Sequence, residues 1–510
     1  MQRMLRATLL GGLGLAMAMP FVSARPTAEP PDVWRDHLEA VRAADGITNQ
    51  EARCRAYPDL PHNRWRPGAA LARCTLLREP MYTLERIGEV LGQADGAAQL
   101  ERDFAALLQA HYTDQEQREQ IFVAFRVFDH TPKAGEVARS WHDASPGSAF
   151  ATMALATHHA AIGWRARGGA LASRVSHERF ERMHRQFEHA VPLYGRVLTI
   201  EPRLSVACVK LMEIGAQVSD ELEAAATEHC LSVDPDSYHV AYQLIRGAQP
   251  RWGGSDAALR HAVAYAAARV ERNPILGALL GEAAGDEPSM ASDRAAAADA
   301  LASAAAMAPS GGLLRSAGLG YREKDDPWRA LVYLSQSTRF WPTDADYFSA
   351  RGRLLFEDLD DAAWARADLL RALQLEPDGA NHHYTLGRIL QRTDGYAAAR
   401  PHFRFAMEHG QHKQTSHELY CQTFIETRHV SLEMEQCTAE LVRTYPESGE
   451  AWRLRAWALY PTRHPDTVDA IDRFLLHADM SKPWNAGSMQ TLLTWRHELV
   501  AEQPALPDRN

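Results

Sequence analysis

The sequence predicts an all-α fold, a right-handed α-solenoid of antiparallel helical hairpins arranged in two blocks. Three observations predict it. Small and large apolar residues recur at a step of 34 to 35 residues in the C-terminal third, and helix-ending Pro residues punctuate the chain at similar intervals. No stretch sustains the apolar–polar alternation of a half-buried strand. The 510 residues suit an elongated array or about three domains. A hydrophobic fraction of 46% with 24% charged residues and a mean hydropathy of −0.35 excludes a multi-span membrane protein and a disordered polymer. Lys+Arg 55 against Asp+Glu 65 leaves −10, too acidic for a protein gripping nucleic acid by phosphate neutralisation. Only Lys133, Lys210, Lys324, Lys413 and Lys482 are lysines, so 50 of the 55 cations are Arg and lysine chemistries have few candidates.

The first element is an export signal. A basic start with Arg3 and Arg6, an apolar run from Ala7 to Val22 and small residues ending at Ala24 read as a signal peptide over 1–24. Cleavage there would start the mature chain at Arg25, place it in the periplasm or outside the cell, and leave no membrane anchor. No later apolar run approaches spanning length.

In an oxidising compartment the six cysteines fall into three local couples, Cys54/Cys74, Cys208/Cys230 and Cys421/Cys437. Residues equidistant from a hairpin turn face each other. The midpoints of the second and third couples fall in Gln217–Asp220 and Thr427–Val430, both plausible turns. Six free buried thiols are the alternative. No C-x-x-C exists, so neither a dithiol redox motif nor a structural zinc site is indicated.

The repeat is clearest from 311 to 410. One unit carries Gly318, Tyr321, Ala330, Leu334 and Pro342; the next carries Gly352, Leu355, Ala365, Leu369, Ala372 and Pro377. A third carries Leu386, Gly387, Leu390, Tyr396, Ala399, Phe403 and Ala406. These residues resemble the tetratricopeptide repeat, which needs Gly and Ala where two helices touch, because axes cannot close to about 8–10 Å over bulky side chains. One extra residue between Glu357 and Asp361 fits a variable turn. Ala190, Tyr194 and Pro202 keep the same offsets, Pro235 and Pro274 end further units, and Trp452, Ala456 and Leu459 open another. The expected organisation is an N-terminal helical region over 25–145, a helical-repeat domain over 146–281, an Ala-rich linker over 282–310 and a tetratricopeptide block over 311–500.

Residues 46–280 also resemble an uncharacterised exported proteobacterial helical family, known as a domain of unknown function. The resemblance rests on Cys54–Trp65 followed by Cys74, on Ser145–Ala151 with Gly163–Gly168, and on Pro250, Arg251, Trp252, Gly253, Gly254 and Ser255. It implies a helical repeat domain, brings no catalytic residue or cofactor, and favours the Cys54–Cys74 pairing. Physically, Pro250 stops a helix, Gly253 and Gly254 permit positive φ, and Ser255 can cap the next helix. The loop is either a Trp-anchored turn or a ligand contact offering Arg251 and Trp252.

Catalytic motifs are absent: no P-loop, no H-E-x-x-H and no G-x-S-x-G occurs. The best metal candidate is His177, Glu181, His184 and Glu188 on one helix face, but Arg179, Arg182 and Arg185 make an ordinary charged surface the better reading, so no metal is assigned. The function expected is an exported scaffold binding an envelope protein or an acidic peptide on a concave surface, not an enzyme. The other reading is an envelope enzyme or accessory acting on surface polysaccharide. The tetratricopeptide resemblance implies that positions 2, 5, 9 and 12 of each first helix face the groove. Counted from 311, 345, 380 and 449, these include Arg315, Arg322, Arg353, Phe356, Tyr384, Arg388, Gln391, Arg453, Trp457 and Tyr460, with Asp346 and Glu450 opposing the five arginines. Such a surface suits a carboxylate held by Arg; alternatively, the arginines merely solubilise an Ala-rich array.

Overall fold

The computed structural model describes residues 29–169, 174–427 and 430–502. Among them are 26 α-helices and no strand. The signal sequence expected over 1–24 lies outside the described residues, and no described helix is long and apolar enough to cross a membrane.

In the C-terminal half the helices pair as hairpins: Gly311–Glu323 with Pro327–Phe340, Ala345–Glu357 with Ala362–Leu375, and Ala380–Thr393 with Tyr396–His409. Lys413–Glu426 with Leu432–Thr444 and Gly449–Leu459 with Thr467–His477 continue the array, and Pro483–Glu502 closes it. Side-chain caps set the starts. Asp326 accepts from the Arg329 N–H with Pro327 in the first turn, Asp361 from Trp364, and Ser448 from Ala451.

The glycines of the repeat are where the two helices of a hairpin touch. A Cβ on Gly318 would lie 2.7 Å from Leu334 Cγ, one on Gly352 2.3 Å from Leu369 Cδ2, and one on Gly387 2.7 Å from Phe403 Cε1. The partner follows after 16, 17 and 16 residues. The one-residue excess of the middle unit falls in the turn before Ala362, where Asp360 adopts φ +54°.

All three expected disulfides are present, with Cα separations of 5.6 Å for Cys54–Cys74, 5.6 Å for Cys208–Cys230 and 5.7 Å for Cys421–Cys437. The second ties the hairpin Ser205–Val218 and Asp220–Val233; the third ties Lys413–Glu426 to Leu432–Thr444.

Packing divides the N-terminal region differently from its sequence. Ile87 to Val240 build one core, which includes Phe104, Trp141, Phe187 and Tyr194. Leu38, Val41, Cys54, Tyr57 and Leu60 instead share a core with Leu301, Leu331, Leu355 and Phe403. The first described segment is thus folded onto the C-terminal repeats. The Ala-rich stretch 282–310 is packed too: Arg294–Ala305 lies against Gly311–Glu323, with Ala298, Ala304 and Ala305 fully buried. A Cβ on Gly320 would meet Arg294 O at 2.7 Å, so small side chains here bring two backbones together. Alanine offers little area, which makes such a helix look like a spacer in sequence.

Candidate functional site

Polar side chains add to the apolar packing of the first segment. Arg339, on the second helix of the first C-terminal hairpin, donates to Cys54 O at 2.8 Å and Asp59 at 2.7 Å, while Gln336 donates to Pro58 O at 2.6 Å. Trp65 Nε1 reaches Ala305 O at 2.9 Å. The stretch Cys54–Trp65 therefore acts as a docking strip, each end held by a different helix.

At its centre is a buried charge cluster. Arg351 is 1% exposed and grips Asp368 through Nε at 2.8 Å and Nη2 at 2.7 Å. Its Nη2 also lies 2.8 Å from Asp45. Asp45 further accepts from Arg53 at 2.5 and 3.1 Å, from Trp364 Nε1 at 3.0 Å and from the Tyr57 hydroxyl. Burial pushes the Asp45 carboxyl up, but Arg351 and Arg53 outweigh it and hold the group below its usual range. Asp368 goes the other way: burial raises it despite Arg351. Neither carboxylate can take a proton from a substrate without giving up an ion pair.

This cluster forms one wall of a cleft of about 940 Å3 between the first segment, the turn around Arg126 and the helices flanking Trp341. Six arginines line it (Arg53, Arg73, Arg78, Arg126, Arg351, Arg371) against Asp45, Asp368 and Glu79. Aromatic rings back the charges: Arg73 lies 5.6 Å from the Trp341 ring and 5.7 Å from Tyr238, and Arg315 lies 5.2 Å from Tyr347, which stacks on Trp341. Sequence reasoning missed the cleft, because Arg351 falls between the counted groove positions 349 and 353, and two of its partners, Asp45 and Tyr57, lie about three hundred residues earlier in the chain.

The residues of the expected groove are largely engaged by neighbours, most of them outside the counted positions. Glu357 receives Arg322 at 2.6 Å and Arg388 at 2.6 Å, with Arg353 at 3.9 Å, and Arg322 also reaches Asp358 at 2.7 Å. Burial raises Glu357, but the three guanidinium groups hold its carboxyl below the usual range. Phe356 is buried beneath Arg388 and Arg392. Arg453 pairs with Glu450 at 2.5 Å, both buried. Trp457 and Tyr460 are covered by the last helix through Trp495, 4.7 and 3.8 Å from their rings, and Tyr460 donates to Glu498 at 2.6 Å. Tyr384 stacks beside His412, and it and Gln391 stay partly exposed.

The loop Pro250–Ser255 is a tight turn. Gly253 has φ +93°, a Cβ on Gly254 would lie 2.1 Å from Ala248 O, and Ser255 caps the next helix through Ala258 N–H. Arg251 bonds Gln249 and lies 3.7 Å from Asp286; Trp252 is 49% exposed beneath Arg246. His177 pairs with Glu181 at 3.2 Å on an exposed helix face. Among the described residues, the group able to gather three metal ligands is His417, Cys421 and Cys437, whose sulfurs form a disulfide and so offer no thiolate.

No family model matches the chain, and no curated protein does. Among solved structures, the tetratricopeptide domain of P58(IPK) is similar at 13% identity and a TM-score of 0.25, covering 79% of this chain and 100% of that one. A tetratricopeptide repeat protein from Parabacteroides merdae is 13% identical with a TM-score of 0.27, covering 50% of this chain and 98% of its own. The human IFIT1 dimer with PPP-AAAA is 12% identical with a TM-score of 0.29, covering 77% and 100%.

Proposed function

We propose that the protein is an exported helical-repeat scaffold that binds a protein or peptide partner in the cell envelope. Stacked hairpins present their first helices side by side, which suits recognition of an extended chain. The observation that carries the reading is the open face of the middle units. There the Arg353 side chain is 52% exposed and that of Arg388 37%, with Tyr384 and Gln391 beside them. Glu357 holds the place that an acidic side chain or a free carboxylate of the partner would take, since both arginines already turn toward it. Partner binding then exchanges one carboxylate for another at an accessible guanidinium.

The test is capture from an envelope extract with the mature chain, compared with the double variant Arg353→Ala, Arg388→Ala. Ala is a good helix former, so folding stays intact. Loss of the captured partner at low salt, where exposed charges count most, supports the reading; unchanged capture overturns it. Fractionation tests the export half: the chain should start near Arg25 and be released with the soluble envelope fraction.

A further inference from the structure

Three arginines of the central cleft have no carboxylate partner among the described residues. Arg73 is 7% exposed and makes only ring contacts, with Trp341 and Tyr238. Arg126 donates to Leu76 O at 2.8 Å, and Arg371 to Gln374 at 3.2 Å. The other arginines there are satisfied: Arg53 and Arg351 by Asp45 and Asp368, and Arg78 by Glu51 at 2.8 Å. Arg73 and Arg126 are close enough to repel, and desolvation together with Arg73 lowers Arg126 to about 10. Desolvation and then Arg53 lower Arg371. Natural proteins seldom leave buried guanidinium groups uncompensated, because an unpaired buried charge is strongly unfavourable. Arg73 is such a group, and it lines the cleft together with Arg126, which is exposed, and Arg371, which is half-buried, so an anion from outside the chain can reach all three.

We propose that this cleft binds a small organic anion, its carboxylate or phosphate oxygens held by Arg73 and Arg126 and a second anionic group by Arg371. The planar fork of each guanidinium suits either oxyanion. Thr48, Gln50, Thr343 and Gln374 line the same space and supply neutral hydrogen-bonding groups. A volume of about 940 Å3 matches small-molecule pockets rather than a protein docking face. The site is separate from the face carrying Arg353 and Arg388, so either assignment stands or falls alone.

The experiment is calorimetric titration of the full chain at low ionic strength with pyrophosphate and, separately, citrate. At least one should bind; pyrophosphate alone points to a phosphate ligand, citrate alone to a polycarboxylate, and both to recognition of oxyanions as such. Arg73→Gln with Arg126→Gln should weaken binding about tenfold or more, while Arg404→Gln, which removes an exposed charge paired to Glu408, should not. Arg371→Gln provides a second variant on a partly exposed position should the double variant fail to fold, and should weaken binding as well. Without ligand, Arg126→Gln should leave the melting temperature unchanged or higher, since it removes a repulsion. No binding of either anion, or binding indifferent to Arg73, Arg126 and Arg371, overturns the proposal.

Discussion

Replacing Asp45 by Ala tests whether the charge cluster fastens the first segment to the repeats. The carboxylate is the shared acceptor of Arg53, Arg351, Trp364 and Tyr57. Its removal leaves two guanidinium groups, 6% and 1% exposed, with Asp368 as the nearby carboxylate that remains, and takes the acceptor from the Tyr57 hydroxyl proton and the Trp364 indole N–H. Breaking a buried ion pair by deleting one partner costs about 3–5 kcal/mol, and nothing in this geometry points to the low end. The loss should be local. Amide exchange over residues 32–75 should accelerate about a hundredfold or more, while residues 177–233 keep their protection. Acid should mimic the substitution. Because the Asp45 pKa in the folded state lies below its unfolded value of 3.8, its contribution is complete above that value and is lost as pH falls through the depressed one. If exchange in the segment is unchanged in Asp45→Ala, apolar contacts of Leu38, Val41 and Tyr57 alone hold it, and the argument from charge is wrong.

Gly352→Val should lose about 1–3 kcal/mol in urea unfolding, because even a Cβ meets Leu369 at 2.3 Å; full stability would mean the hairpin opens freely. Cys208→Ser with Cys230→Ser should lose about 3 kcal/mol by the loop-closure model, and peptide mapping of the unreduced wild type should recover the local pairs. Trp495→Ala should expose Trp457 and Tyr460, red-shifting tryptophan emission and loosening the last helix by about 1–3 kcal/mol; an unshifted spectrum would show that the rings do not pack together.

The hairpins and their glycine contacts were legible because they are local and periodic, and the disulfides because each couple is close in sequence. Gly318, Gly352 and Gly387 announce their partners within one unit, and even the extra residue before Asp361 is visible as a break in step. The first segment was not legible. Arg53, Asp45 and Tyr57 have no period, and their partners Thr338, Arg351 and Trp364 lie between 285 and 319 residues on. Counting arginines at groove positions did not reveal their partners: Glu357 and Asp358, outside the counted register, form ion pairs with Arg322, Arg353 and Arg388. The unpaired arginines lie instead where three remote pieces of chain meet. Ala-rich 294–305 misled for a different reason, since its contribution is closeness of approach rather than area.

The clasp between Asp45 and the helix carrying Asp368 has a consequence for how the protein is made. In a repeat array each hairpin contacts only its neighbours, so it can fold once an adjacent hairpin is present. Here the earliest segment waits for residues more than three hundred positions downstream, and at about 5–20 residues per second that gap is on the order of 15 to 60 seconds. During it, Leu38, Val41, Tyr57 and Leu60 have no apolar surface to cover them, and Cys54 can close its local loop with Cys74 well before docking. Early oxidation of that pair would present the strip preformed, so that its late docking joins two ordered surfaces instead of ordering a free chain.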